Sequence, residues 1–181
     1  MDLTKVVTGK VRFSYVNIFT PSAMKETDEP KYNMCIIIPK SDTTTIDKIK
    51  KAIEAAKVEG KAKLADKNGR IPANIKLPLR DGDEDRSDDP AFENSYFINC
   101  SSIRKPGVVD INLDPIMDKE EVYSGCYGRV SLKFYAYNVQ SKGIACGLNN
   151  VQKLAEGERL TGGSTADEDF GGDNIWNDPL M

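Results

Sequence analysis

Histidine is absent from the chain, and cysteine occurs only at Cys35, Cys100, Cys126 and Cys146, never as a CxxC pair. Without histidine the commonest general base is missing, and with it the Ser–His and Cys–His nucleophile pairs. Thiols so widely separated lack the spacing of a structural zinc site, and they read as small, half-buried apolar residues in a reducing compartment. Long apolar runs are lacking too. No stretch approaches the roughly 18 residues of a membrane span, and the start, MDLTKVVTGKVRF, has neither the basic opening nor the apolar run of a secretory signal. These absences predict an intracellular, cytoplasmic protein with no metal and no cofactor, in which carboxylate catalysis is possible in principle but no paired-carboxylate geometry is presented.

Positive charge is missing from one end. After Arg159 there is no Lys or Arg, but Asp167, Glu168, Asp169, Asp173 and Asp178 follow. Setting those five aside from the 28 acids leaves 23 against 25 basic residues, so a net −3 chain has a +2 body. The segment 81–93, DGDEDRSDDPAFE, holds seven more acids and one Arg; without it the remainder carries 24 basic and 16 acidic residues, or +8. Negative charge confined to two separable segments leaves a nucleic-acid partner open despite the acidic balance.

What is present is organised around VYSGCYGRVSLKFYAYN, residues 122–138. From Gly128 it alternates: Val130, Leu132, Phe134 and Ala136 share one face, and Arg129, Ser131, Lys133, Tyr135 and Tyr137 the other. A period of two predicts a strand with one face on the core. The opposite face pairs cations with exposed rings, the combination that holds single-stranded nucleic acid by neutralising phosphates and stacking on bases. A solvated face carrying tyrosines for β-propensity is the plain alternative.

The other elements follow in order. KVVTGKVRFSYVNIF (5–19) reads as a first strand, with Val7, Val11, Phe13 and Tyr15 on one parity and Lys10 and Arg12 on the other. YNMCIII (32–38) is apolar on both parities and reads as central. Ser41, Asp42 and Thr43–Thr45 offer N-caps for a helix over 44–58, with Ile46, Ile49, Ile53 and Ala56 as its apolar stripe. An edge strand is expected at 75–79, a strand at 95–101, a basic turn at Arg104-Lys105-Pro106-Gly107, and a returning strand at 144–154. Residues 157–181 are glycine-rich, acidic and without period, which predicts a disordered tail after an ordered domain over 1–156. The fold class is therefore all-β with one inserted helix: a small antiparallel barrel, for which the OB-fold is the leading candidate.

The strings VYSGCYGRVSLKFYAYN, GIACGLNNVQKL and KPGVVD, with the acidic tail, resemble the single-stranded-DNA-binding proteins of tailed phages. The resemblance extends from KVRFSYVNIF to the tail. It implies an OB-like barrel and non-catalytic coating of single strands in replication and recombination, within a bacterial host cell. Residue types then assign Lys10, Arg12, Arg104, Lys105, Arg129 and Lys133 to phosphates, and Tyr135 and Tyr137 to base stacking. Tyr127 and Tyr15 are weaker candidates for stacking. Asp167, Glu168, Asp169, Phe170, Asp173, Ile175 and Trp176 form a tail that competes with DNA and captures replication or recombination proteins. The alternatives are an acidic adaptor or DNA mimic that binds basic proteins, and a nuclease subunit holding magnesium on acids 81–89.

Overall fold

The computed structural model describes residues 2–23 and 29–160. Strand β2 (Val11–Ser22) pairs antiparallel with β3 (Lys31–Pro39), and β3 with β5 (Ser95–Ser102). β7 (Tyr127–Val139) and β8 (Ser141–Ala155) form a long antiparallel hairpin. β7 returns to β2 through Val11↔Gly128, and β8 touches β5 in parallel through Ser101↔Gly147. The circuit β2–β3–β5–β8–β7 thus closes on itself, the OB-like arrangement expected from the sequence. Three short strands attach to it: β1 (Lys5–Val7) on β7, β4 (Arg80–Asp81) on β5 and β6 (Gly107–Val109) on β8.

The alternation of β7 translates directly into burial. Val130, Leu132, Phe134 and Ala136 are buried, while Arg129, Lys133 and Tyr135 are exposed. Met34, Ile36 and Ile38 of β3 and Ile98 and Cys100 of β5 face the same core. Each fully buried Leu, Ile or Phe side chain contributes about 1.5–3 kcal/mol relative to an exposed one. Gly128 is required where β7 meets β2: a Cβ there would stand 2.5 Å from the Phe13 ring and 2.2 Å from the Gln152 carbonyl.

Helix α1 (Thr43–Glu59) begins where the sequence indicates, with the Asp42 carboxylate accepting from the Thr45 N–H at 3.1 Å. Its stripe, Ile46, Ile49, Ile53 and Ala56, is buried in the core. Two further helices of four residues, α2 (Lys61–Leu64) and α3 (Gly82–Asp85), and a 3-10 turn at Pro90–Phe92 were not expected.

Two expectations are corrected. Residues 5–19 do not form one strand: the chain breaks at Thr8–Lys10, where the Thr8 hydroxyl accepts from the Val130 N–H. Val7 and Tyr15 are exposed rather than sharing the buried face of Val11 and Phe13. Tyr15 lies in the left-handed region (φ 49°) and Ser14 is buried in its place, as a bulge shifts the β2–β3 register between Ser14 and Asn17. Nor is there an edge strand at 75–79. Pro78 removes an N–H, and a single parallel bridge, Lys76↔Gly143, is formed instead.

Candidate nucleic-acid interface

The outer faces of β3 and β5 floor a groove. β3 turns Lys31, Asn33, Cys35 and Ile37 outward, and β5 turns Phe97, Asn99 and Ser101 outward. Two adjoining concavities of about 870 and 950 Å³ share Lys31, Asn99 and Ser101 and together make one trough. One end carries Tyr15, Asn17 and Arg86; the other carries Lys76, Arg80, Tyr135, Tyr137 and Val139. Amides line the floor, with the Asn17 amide donating to Asn33 Oδ1 at 3.1 Å and Asn33 Nδ2 to Ser22 Oγ at 3.1 Å.

The tyrosine wall is positioned by small residues on β8. Tyr137 faces Gly143 across the hairpin, and a Cβ at Gly143 would stand 2.6 Å from the tyrosine oxygen. Tyr135 faces Ala145 and leans toward Gly147, where a Cβ would lie 3.6 Å from its ring. Both rings lie over a strand that offers no bulk beneath them. Tyr135 is 43% exposed, yet partial burial still raises its phenol above the ordinary value. Its phenol is therefore neutral throughout the physiological range.

The acidic segment 81–93 is mostly structural, and its one cation enters the groove. Lys40 Nζ pairs with Asp81 at 2.9 Å and Asp83 at 2.8 Å, and Arg80 pairs with Asp85 at 2.9 Å. Asp81 caps α3, Asp83 accepts from the Asn94 N–H, and Asp89 caps the 3-10 turn. The Lys40 ammonium, with that N–H, holds the Asp83 carboxyl below the ordinary range. The segment thus folds onto β5, where Phe92 meets Phe97 edge-on at 5.2 Å and the guanidinium carbons of Arg80 and Arg86 lie 5.6 and 5.2 Å from the Phe97 ring centroid. Among the described residues no three Cys, Asp or Glu side chains gather as a metal site.

The basic residues singled out from sequence do not form one patch. Arg104 and Lys105 sit in the turn after β5, with Lys105 Nζ 5.8 Å from the Phe19 ring of β2, and neither lines the groove itself. Lys133 is one step along the outward face from Tyr135, opposite Lys5 of β1, and pairs with Asp2 at 3.2 Å. Arg129 donates to Gln152 further along the same face. Lys10 and Arg12 bracket Tyr127 at 5.1 and 5.4 Å. Arg12 also donates to the carbonyls of Gly125 and Glu158, and is thereby committed to holding the chain after β8. Sequence reasoning missed Lys31, Lys76, Arg80, Arg86 and the Asn17, Asn33, Asn99 and Ser101 floor. The polar parity of Asn99 and Ser101 in SYFINCSS was the available signal.

Residues 157–160, assigned to the tail from sequence, pack on the body. The Gly157 carbonyl accepts from the Tyr123 hydroxyl at 2.9 Å, Arg159 lies 4.4 Å over the Tyr123 ring, and Leu160 packs against the Cys35, Ile37, Phe92 and Phe97 cluster. The tail residues from Asp167 to Trp176 lie outside the described residues.

A family model described as the single-stranded-DNA-binding protein of Enterobacter phage Enc34 matches residues 4–180. The chain belongs to this family. Protein p50 of Acyrthosiphon pisum secondary endosymbiont phage 1 is 30% identical over 166 residues, covering 90% of this chain and 89% of that one. The Enc34 single-stranded-DNA-binding protein, solved in complex with single-stranded DNA, superimposes with a TM-score of 0.75 at 25% identity, over 87% of this chain and 90% of that one. The single-stranded-DNA-binding protein gp2.5 of bacteriophage T7 shares the fold with a TM-score of 0.64 at 15% identity, over 91% of this chain and 99% of that one.

Proposed function

We propose that this protein binds single-stranded DNA without regard to sequence, in the groove floored by β3 and β5, and serves phage replication and recombination as a non-catalytic coat. One observation carries the reading: exposed Tyr15 and Tyr135 and half-buried Tyr137 stand along the same trough as Lys31, Lys76, Arg80 and Arg86. Bases stack on the rings at roughly 1–3 kcal/mol each, whatever their identity, while the cations neutralise phosphates. Arg104 and Lys105 extend the path at one end, and Lys133 and then Arg129 extend it along β7. Lys10 and Arg12 serve mainly to fix Tyr127 and the root of the tail.

The same groove gives the acidic tail a target. Its root at Leu160 packs against the cluster that includes Cys35 and Phe92, both of which line the groove, so the tail leaves the body beside it. A short tether gives an effective concentration near the millimolar range, which makes even a weak polyanion contact a competitor of DNA. DNA displaces the tail, freeing Phe170, Ile175 and Trp176 to engage a replication or recombination protein. The acids of the adaptor or mimic alternative are in part engaged within the fold, with Lys40 and Arg80, which weighs against that reading. A fluorescence titration of labelled oligo(dT) tests the proposal. Tight, saturable binding that matches a mixed-sequence strand, without turnover, is expected; absence of single-strand binding overturns it.

A further inference from the structure

Strand β2 changes face partway along. Val11 and Phe13 are buried on one parity, Ile18 is buried on the other, and Val16 packs against the same core. Side chains of a regular strand alternate, so Phe13 and Ile18 can both face inward only if one extra residue is inserted between them. The strand supplies it opposite Met34, running from Ser14 to Asn17 while β3 runs only from Cys35 to Asn33. Tyr15 absorbs this bulge at φ 49°, a conformation costly for a bulky residue, and its ring is thrown outward at one end of the groove. The core demands a bulge between Phe13 and Val16, but it does not dictate which residue carries it or where that side chain points.

Side chains hold both sides of the peptide that joins Tyr15 to Val16. The Tyr15 carbonyl accepts from Asn17 Nδ2 at 3.3 Å, and the Val16 N–H donates to Ser124 Oγ at 3.4 Å. Asn17 is itself braced. Its Nδ2 also donates to Oδ1 of Asn33, its partner across the β2–β3 ladder, at 3.1 Å. Asn33 Nδ2 in turn donates to Ser22 Oγ and to the Lys31 carbonyl, both at 3.1 Å. A side-chain amide has two N–H donors. Both are spent within the protein at Asn17 and again at Asn33, so neither nitrogen is left to read a base edge. That suits a floor indifferent to sequence, and it gives the two amides a different task.

We infer that Asn17 is a positioning residue for single-strand binding: braced by Asn33, and with Ser124 on the other side of the peptide, its amide fixes the bulge that presents the Tyr15 ring to the strand. Its role in binding rests on the single-strand reading of the groove. Without the amide, the Tyr15 carbonyl loses its side-chain donor and the left-handed conformation loses what holds it. The ring then has to be ordered when the strand arrives, a cost that the intact chain has already met on folding. Asn17 lines the groove and not the core, so shortening it removes no buried apolar contact.

The test is a set of double-mutant cycles on the full chain, read by titration with labelled oligo(dT). Asn17→Ala is combined with Tyr15→Ala and, separately, with Tyr137→Ala at the other end of the groove. Asn17→Ala should weaken binding about fivefold in the wild-type and Tyr137→Ala backgrounds, and should cost nothing further once Tyr15 is alanine. An amide that touched DNA directly, or a general loss of stability, would instead cost the same in all three backgrounds. A second readout needs no DNA. In protein labelled with fluorotyrosine, the fluorine resonance lost in Tyr15→Phe should move or broaden in Asn17→Ala, while the one lost in Tyr137→Phe stays in place. Ser124→Ala approaches the same peptide from its other side; it should repeat both results, and it serves in place of Asn17→Ala if circular dichroism shows that chain unfolded. Equal losses in every background, an unmoved Tyr15 resonance, or a Tyr15→Ala chain that binds at full strength overturns the inference. Absence of oligo(dT) binding in the wild type would instead sink the single-strand reading, and the fluorine spectra would still decide whether Asn17 holds Tyr15.

Discussion

Phe134, Tyr135 and Tyr137 are near neighbours on one strand, and replacing each with alanine should give opposite phenotypes. The Phe134 ring is 1% exposed within the core, so Phe134→Ala removes a buried ring and leaves a cavity. A cost of about 3–5 kcal/mol is expected, a large share of the roughly 5–15 kcal/mol that holds a domain folded. Tyr135 points to the other side and is 43% exposed over Ala145 and Gly147, so its removal opens no core cavity. Tyr135→Ala should instead weaken oligo(dT) binding by about 1–3 kcal/mol, a factor of roughly 5 to 150. Tyr137→Ala should do the same, with a small stability loss because its ring also covers Gly143. Urea unfolding monitored by circular dichroism reads the first quantity, and fluorescence anisotropy reads the second on the same preparations. Tyrosine variants that unfold easily yet bind DNA at full strength, beside a stable Phe134→Ala, would refute the assignment of faces.

Other outcomes follow from the same geometry. If phosphate neutralisation dominates, log affinity falls linearly with log salt at about −0.7 per contact, and Arg86→Ala should flatten the slope by about one contact's worth; an unchanged slope places Arg86 outside the path. Gly128→Ala should destabilise by about 1–3 kcal/mol or more, since the added methyl meets Phe13 and the Gln152 carbonyl, and thermal unfolding measures it. Burial pushes the Cys35 thiol from 9.0 up to about 12, so the fold retains a proton that the unfolded chain loses above its ordinary value. Its contribution is complete below pH 9 and is lost as pH rises toward about 12, which predicts a melting temperature that falls over that window, less steeply in Cys35→Ala. Removing residues 161–181 should strengthen single-strand binding at low salt, with the gain shrinking as salt screens the attraction, and should abolish capture of replication or recombination proteins; unchanged affinity and intact capture would leave the tail without these roles.

The fold was legible where local pattern and global environment agree. The strict alternation of Val130 to Ala136 states which side of β7 is inside, and the two-sided apolar run of Met34–Ile38 states that β3 is central. The Asp42 cap and the Ile46, Ile49, Ile53 stripe likewise specify α1 without tertiary information. Half of the groove wall, Tyr135 and Tyr137, came from that same alternation. The remainder depends on contacts between distant segments. Tyr15 reaches the groove only because a bulge turns it away from the face its parity predicts. Arg86 reads as a lone cation among acids until the pairing of Asp81 and Asp83 with Lys40 folds its segment onto β5. Arg12, by parity a phosphate ligand, is drawn inward by the carbonyls of Gly125 and Glu158, acceptors more than a hundred residues away.

The central claim is that single strands run through the trough between Tyr15 and Tyr137, across β3 and β5. Photocrosslinking with oligo(dT) containing 4-thiothymidine, followed by peptide mapping, tests it most directly. The account predicts adducts on peptides bearing Tyr15, Lys31, Arg80 or Arg86, Asn99 or Ser101, and Tyr135 or Tyr137, all suppressed by excess unlabelled strand. Adducts confined to the lysines of α1, or to the Lys10–Tyr127 end of the molecule, would contradict it.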